Sequence, residues 1–125
     1  MVLMTQPEAL AWANEWIANW NRKDADAVLT HFTDDCEFTS PRAAAIMGKA
    51  RVSGKNELTE YWTSGLRAVH SLHFELDNVI AGGSHLAIVY ISEVNGTRMR
   101  AVELFVFDEA GRVRSGEAMH GAMLS

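Results

Sequence analysis

The stretch 85-HLAIVYISEVNGTRMRAVELFVF-107 decides the fold class. Leu86, Ile88 and Tyr90 fall on one parity, and Ala87, Val89 and Ile91 on the other. A period of two is that of a β-strand. Asn95-Gly96 interrupts the run with the strongest short hairpin signal in the chain. The spacing predicts adjacent antiparallel strands over 85–94 and 98–107. Outward from them, 72-LHFELDNVI-80 reads as a strand that turns through Gly82-Gly83-Ser84. On the other side, Asp108-Glu-Ala-Gly111 turns into a fourth strand over about 112–122.

Upstream the period becomes helical. Thr5 and Glu8 make a capping-box pattern around Pro7, and Trp12, Trp16 and Trp20 recur at i, i+4 and i+8 beside Ala9, Ala13 and Ile17. This predicts a helix over 6–22, with Asn14, Glu15, Asn19 and Arg22 mostly off the apolar stripe. The tryptophans read as core, or as one wall of a ligand cavity. Asp24 can cap a second, shorter helix that buries Ala25, Val28, Leu29 and Phe32 and ends near Thr33-Asp34-Asp35. Cys36-Glu-Phe-Thr39 alternates as a short strand that Pro41 stops. Residues 41–53 offer a helical turn, RAAAIM, followed by the loop-like GKARVSG. Gly54-Lys55 opens a third helix with Leu58, Tyr61, Trp62, Leu66 and Val69 on its apolar face. Helices segregated from a meander predict an α+β fold, with residues 1–125 as one domain.

Composition narrows the function. The 125 residues are 48% hydrophobic and 22% charged, as in a folded domain. A net charge of −5 argues against a nucleic-acid partner and against an anionic membrane surface. No apolar run reaches the roughly 18–20 residues of a membrane span. The start MVLMTQPEAL lacks the pattern of a signal peptide. Cys36 is the lone cysteine, so no disulfide forms within the chain, and no Cys/His cluster has zinc spacing. The expectation is a cytoplasmic protein with no metal and no organic cofactor.

Three strings in this order, 16-WIANWNRKDADAVLTHFTDD-35, Gly54-Lys55 and 103-ELFVFDEAGRV-113, resemble the nuclear transport factor 2-like superfamily. That group includes ketosteroid isomerase, scytalone dehydratase and the SnoaL-like polyketide cyclases. The resemblance implies a cystatin-like cone: three N-terminal helices packed in a strongly curved antiparallel sheet, with a pocket at the open end. Ketosteroid isomerase uses an Asp base and two oxyanion donors, a Tyr and a protonated Asp. Matched onto this chain, the base position falls on Ser40, the Tyr position on Trp16, and the oxyanion Asp position on Glu103. Ser40 cannot abstract a proton from carbon without a partner base, so the isomerase mechanism does not carry over. An Arg–carboxylate site like that of related epoxide hydrolases is also disfavoured, because Arg98 and Arg100 lie on the opposite parity from Glu103.

Parity then selects pocket residues. Met99, Ala101, Glu103, Phe105 and Phe107 share the face with the larger aromatics, which is assigned inward. Glu103 becomes a carboxyl among apolar side chains, a candidate acid/base group. The resemblance puts His120 on the inward parity next to Glu103, a general acid/base pair or else a satisfied polar pair in a core. It also turns Ile88 and Tyr90 inward, where Tyr90 is a phenolic donor or plain wall. The remaining expected lining is Trp16, Trp20, Phe38, Ser40, Tyr61, Trp62, Phe105 and Met119 or its neighbours. Asp35 is a lesser catalytic candidate, with a structural role set against it. The outward residues Ala87, Val89, Ile91, Val102, Leu104 and Val106 are too apolar for solvent. The superfamily commonly dimerises through this face, which implies a homodimer.

The leading expectation is a small-molecule enzyme of isomerase, cyclase or dehydratase type. It would act on a hydrophobic, ring-containing carbonyl compound through Glu103 and His120. The alternatives are a non-catalytic binder of a hydrophobic ligand and a dimerisation domain.

Overall fold

The computed structural model describes residues 4–124; residues 1–3, at the start read for a leader, and residue 125 lie outside them. In chain order the elements are α1 (Gln6–Asn21), α2 (Ala25–Leu29), β1 (Phe32–Thr39), α3 (Pro41–Met47), β2 (Arg51–Ser53), α4 (Lys55–Arg67), β3 (Leu72–Gly82), β4 (His85–Val94), β5 (Thr97–Phe107) and β6 (Val113–Met123). The helices pack on the inner face of one curved six-stranded sheet of order β2-β1-β6-β5-β4-β3.

Local chemistry sets most of the boundaries. The Thr5 hydroxyl accepts from the Glu8 amide, and the Glu8 carboxylate accepts from the Thr5 amide, closing the capping box of α1. Asp24 caps α2 through the Ala27 amide. At the β4–β5 hairpin Asn95 has φ 50° and Gly96 φ 85°, the two positive values that a two-residue primed turn requires. That tight turn pairs Val94 with Thr97 and sets the register through to His85 with Val106.

Three expectations need correction. RAAAIM is a full helix, α3, begun by Ser40 and Pro41 and ended by Gly48 at φ 79°, so four helices are present among the described residues. Residues 51–53, read as loop, form the edge strand β2 against β1. The sheet is not wholly antiparallel, because β1 lies parallel to β6. β1 also starts earlier than its alternation suggested. The His31 carbonyl accepts from the Val113 amide, which draws the chain into the sheet before the acidic residues. Asp34 and Asp35 then occupy the stretch where β1 slips register against β6, and both are exposed.

The core lies between the helices and the inner sheet face. Trp12 stands at its closed end, with ring centroids 5.4 Å from both Phe105 and Phe107. Asn19, expected off the stripe, is buried and accepts a hydrogen bond from the Arg22 guanidinium. On β6, a Cβ at Gly116 would come within 2.9 Å of the Phe38 and Phe105 rings, so only glycine lets both rings close on the sheet. The free edge of β3 is held by α1. The Asn21 side chain accepts from the Phe74 amide and donates to the Phe74 carbonyl, while Gln6 donates to the Val79 carbonyl.

Candidate functional site

A cavity of about 140 Å³ opens between α1, α3, α4 and the inner sheet face. α1 contributes Trp16 and Trp20 through its i, i+4 repeat, and the end of β1 contributes Phe38 and Ser40. α4 turns Tyr61 and Trp62 inward, and the strands supply Tyr90, Glu103, Phe105 and His120. Ten of the expected site residues therefore line one chamber. Ile88 does not: it is fully buried, but it belongs to the packed core. Asp35 is exposed and outside the chamber, and Met119 lies on the outer face at 46% exposure.

Glu103 is the central polar group. The Tyr90 hydroxyl donates to its Oε1 at 3.0 Å, and its Oε2 is buried with no hydrogen-bond partner. Burial raises its pKa to about 8, against the opposing pulls of the Tyr90 hydrogen bond and the Arg42 charge. The carboxyl therefore keeps its proton at neutral pH. The same burial, reinforced by Glu103, pushes the Tyr90 phenol well above its ordinary value. An orphan buried oxygen costs about 1–3 kcal/mol, and a ligand that bonds to it removes that cost.

No hydrogen bond or ion pair joins Glu103 to His120, although both line the cavity. His120 pairs with Ala101, and Ala118 with Glu103, so the two groups sit diagonally on one face. The β5–β6 register shift between Val106 and Phe107 sets this offset and was not visible in the sequence. Burial and the Arg42 charge lower the His120 pKa, so its ring is neutral at neutral pH. The usual order of the two groups is reversed: the acid holds its proton and the imidazole is free to accept one.

Ser40, at the position of the isomerase base, does local structural work. Its hydroxyl caps α3 through the Arg42 amide and accepts from the Tyr61 hydroxyl at 3.1 Å. Arg42 itself lines the cavity and was not anticipated. It is carried in by α3, whose seven residues gave too short a periodic signal to place. Sequence reasoning also did not foresee that the Nε1 atoms of Trp16 and Trp20 are buried without an acceptor. Cys36 is buried, and burial raises its thiol pKa, which keeps it unreactive. Among the described residues no group of three or more His, Cys, Asp or Glu side chains could hold a metal ion, and no helix is long and apolar enough to cross a membrane.

The chain is 35% identical to a SnoaL-like protein of unknown function from Burkholderia thailandensis, covering 97% of this chain and 100% of that one with a TM-score of 0.87. A nuclear transport factor 2-like protein of unknown function from Burkholderia pseudomallei shares the fold at 18% identity and TM-score 0.78, over 94% and 92% of the two chains. So does a proposed ketosteroid isomerase from Kribbella flavida, at 12% identity and TM-score 0.73, over 96% and 82%. No curated protein matches. The SnoaL-like domain model spans residues 13–116, taking in the three tryptophans of the cavity, the rest of α4 and Glu103. A cystatin-like fold with its polar groups gathered inside the curved sheet, a family model over most of the chain and a full-length relative at 35% identity all agree: the chain belongs to the SnoaL-like domain family.

Proposed function

We propose that the protein is a small-molecule enzyme that moves protons on a hydrophobic, ring-containing carbonyl compound. The observation that carries this reading is Glu103, a buried carboxyl with a raised pKa and an unpartnered Oε2, on a residue that lines an aromatic chamber. In the proposed step, protonated Glu103 donates to the ligand's carbonyl oxygen. Neutral His120 takes a proton from the adjacent carbon, giving the enol and an imidazolium. Return of both protons, at the same or a different carbon, regenerates the groups. Tyr90 holds Glu103 in place through Oε1. Ser40 takes no base role in this scheme, which separates it from the known isomerase mechanism.

Hydrogen–deuterium exchange next to the carbonyl of a panel of cyclic ketones, followed by NMR, tests the proposal without a known substrate. Glu103→Gln and His120→Ala should each slow exchange by about 10²-fold or more. Exchange at the wild-type rate in both variants would remove the mechanism. The competing reading is a binder without chemistry. The missing Glu103–His120 hydrogen bond and the mostly apolar chamber favour it. It predicts a ligand that co-purifies and is held equally well by Glu103→Gln.

Two further expectations belong to this reading. The chain pairs with a second copy through its outer sheet face, where Ile80, Leu104 and Met119 are 59%, 37% and 46% exposed. It resides in the cytoplasm, a reading supported by a lone, buried Cys36 with no disulfide role. Cell fractionation checks the second point.

A further inference from the structure

Arg42 is half-buried in the cavity wall, and among the described residues its charge has no ion-pair partner. Its Nη2 approaches the Met99 sulfur at 3.9 Å, a weak acceptor, and among the described residues no carboxylate forms an ion pair with it. A guanidinium carries five donors, and among the described residues no group other than the Met99 sulfur bonds any of them. The titratable groups that line the same cavity and feel its charge are Tyr61 from α4, Tyr90 from β4, Glu103 from β5 and His120 from β6. Burial holds both phenols and Glu103 in their neutral forms at neutral pH, and His120 is neutral too. The chamber therefore contains a cation and no anion.

A second observation points the same way. The Nε1 groups of Trp16 and Trp20 are buried donors without acceptors in the same wall. The acceptor that best matches the Arg42 fork is a carboxylate, which offers about four acceptor sites on two oxygens and can take two guanidinium N–H groups at once. Size sets the remaining constraint. The cavity measures about 140 Å³, and an apolar protein cavity of about 150 Å³ holds one benzene molecule.

We infer that the ligand is a single-ring carboxylic acid bound as its anion, with the carboxylate on Arg42 and the ring among the aromatic side chains. The inference rests on the cavity being a small-molecule site. It does not depend on proton transfer by Glu103.

Titration of the purified protein with phenylacetate and phenylacetamide at pH 7, read by tryptophan fluorescence and calorimetry, tests it. The acid should bind at least about tenfold more tightly than the amide, as expected for a charge-assisted pair. Arg42→Gln should bring that ratio close to one while keeping the amide affinity. Arg42→Lys should keep part of the preference, and added salt should reduce it in the wild type. These last two measurements read the same charge if Arg42→Gln disturbs α3. Equal binding of acid and amide by the wild type, an intact preference in Arg42→Gln, or no binding of either probe would each overturn the inference. The deuterium-exchange experiment can fail while the acid preference stands, and the reverse, so the two readings fall separately.

Discussion

β5 shows two different environments along one strand. Ala101, Glu103, Phe105 and Phe107 are buried on its inner face, while Arg98, Arg100 and Leu104 meet solvent on the outer one. The outer charge behaves ordinarily, with Arg100 lying 3.3 Å from Asp77 in an exposed pair worth little. The inner charge site is different. Glu103 is so poorly solvated that neutrality is its stable state at pH 7. The acidic run of β1 makes the same point, since Asp34, Asp35 and Glu37 are all exposed and none enters the cavity. What gives a carboxyl chemical interest here is the loss of water around it, not the local density of acids.

The largest test of this contrast is pH-dependent stability. The folded state holds the Glu103 proton up to about pH 8, whereas the unfolded chain releases it near 4.5. Folded protein thus binds more protons between these values, and stability falls as pH rises through the window. The fall is roughly 4–5 kcal/mol at one pKa unit per 1.36 kcal/mol, complete above the folded pKa. Denaturant midpoints at pH 5 and pH 8 should show about 3–4 kcal/mol of this difference in the wild type and a much smaller one in Glu103→Gln. Matching profiles would mean the carboxyl is not dehydrated, and the two faces of β5 would be electrostatically alike.

The next effect concerns packing on β6. Gly116→Ala on the inner face drives a methyl into the Phe38 and Phe105 rings and should cost about 1–3 kcal/mol. Glu117→Ala, one residue on and exposed, should stay within about 0.5 kcal/mol. Thermal melts of the pair measure the contrast directly, and similar losses would erase it. On the outer face, Leu104→Glu should leave the fold within about 0.5 kcal/mol yet shift sedimentation from dimer to monomer. A wild type that already sediments as a monomer would end the proposed pairing. The smallest expected effect is that of Asp35→Asn, which should leave exchange activity and stability within error, because the side chain is exposed and outside the cavity.

The inner and outer faces were legible in the sequence because β4 and β5 are long and alternate cleanly around a hairpin that fixes their register. The same hairpin held a signal that was not used. Pairing Val94 with Thr97 puts Tyr90 opposite Ala101, one diagonal step from Glu103, and so foretells their hydrogen bond. The position of His120 was not readable, since it depends on the β5–β6 register shift between Val106 and Phe107. Nor was Arg42, because α3 and β2 are too short for periodicity to outweigh an ambiguous composition. β3 carries a similar break: Asp77 is an extra residue, so inward positions change from Leu72, Phe74 and Leu76 to Val79 and Ala81.

The grip of α1 on β3 has a consequence for how this protein behaves at high concentration. An unpaired strand at a sheet edge is an invitation to polymerise, because another chain can dock there by main-chain hydrogen bonds and leave a fresh edge behind it. Asn21 occupies both the donor and the acceptor of Phe74, acting as a one-residue chain terminator, and Gln6 blocks the Val79 carbonyl. The opposite edge, β2, is only three residues long, and Arg51 there pairs with Glu37. Growth without limit is thus discouraged at both ends of the sheet. Crowding this chain favours closed assemblies of a few copies over fibres.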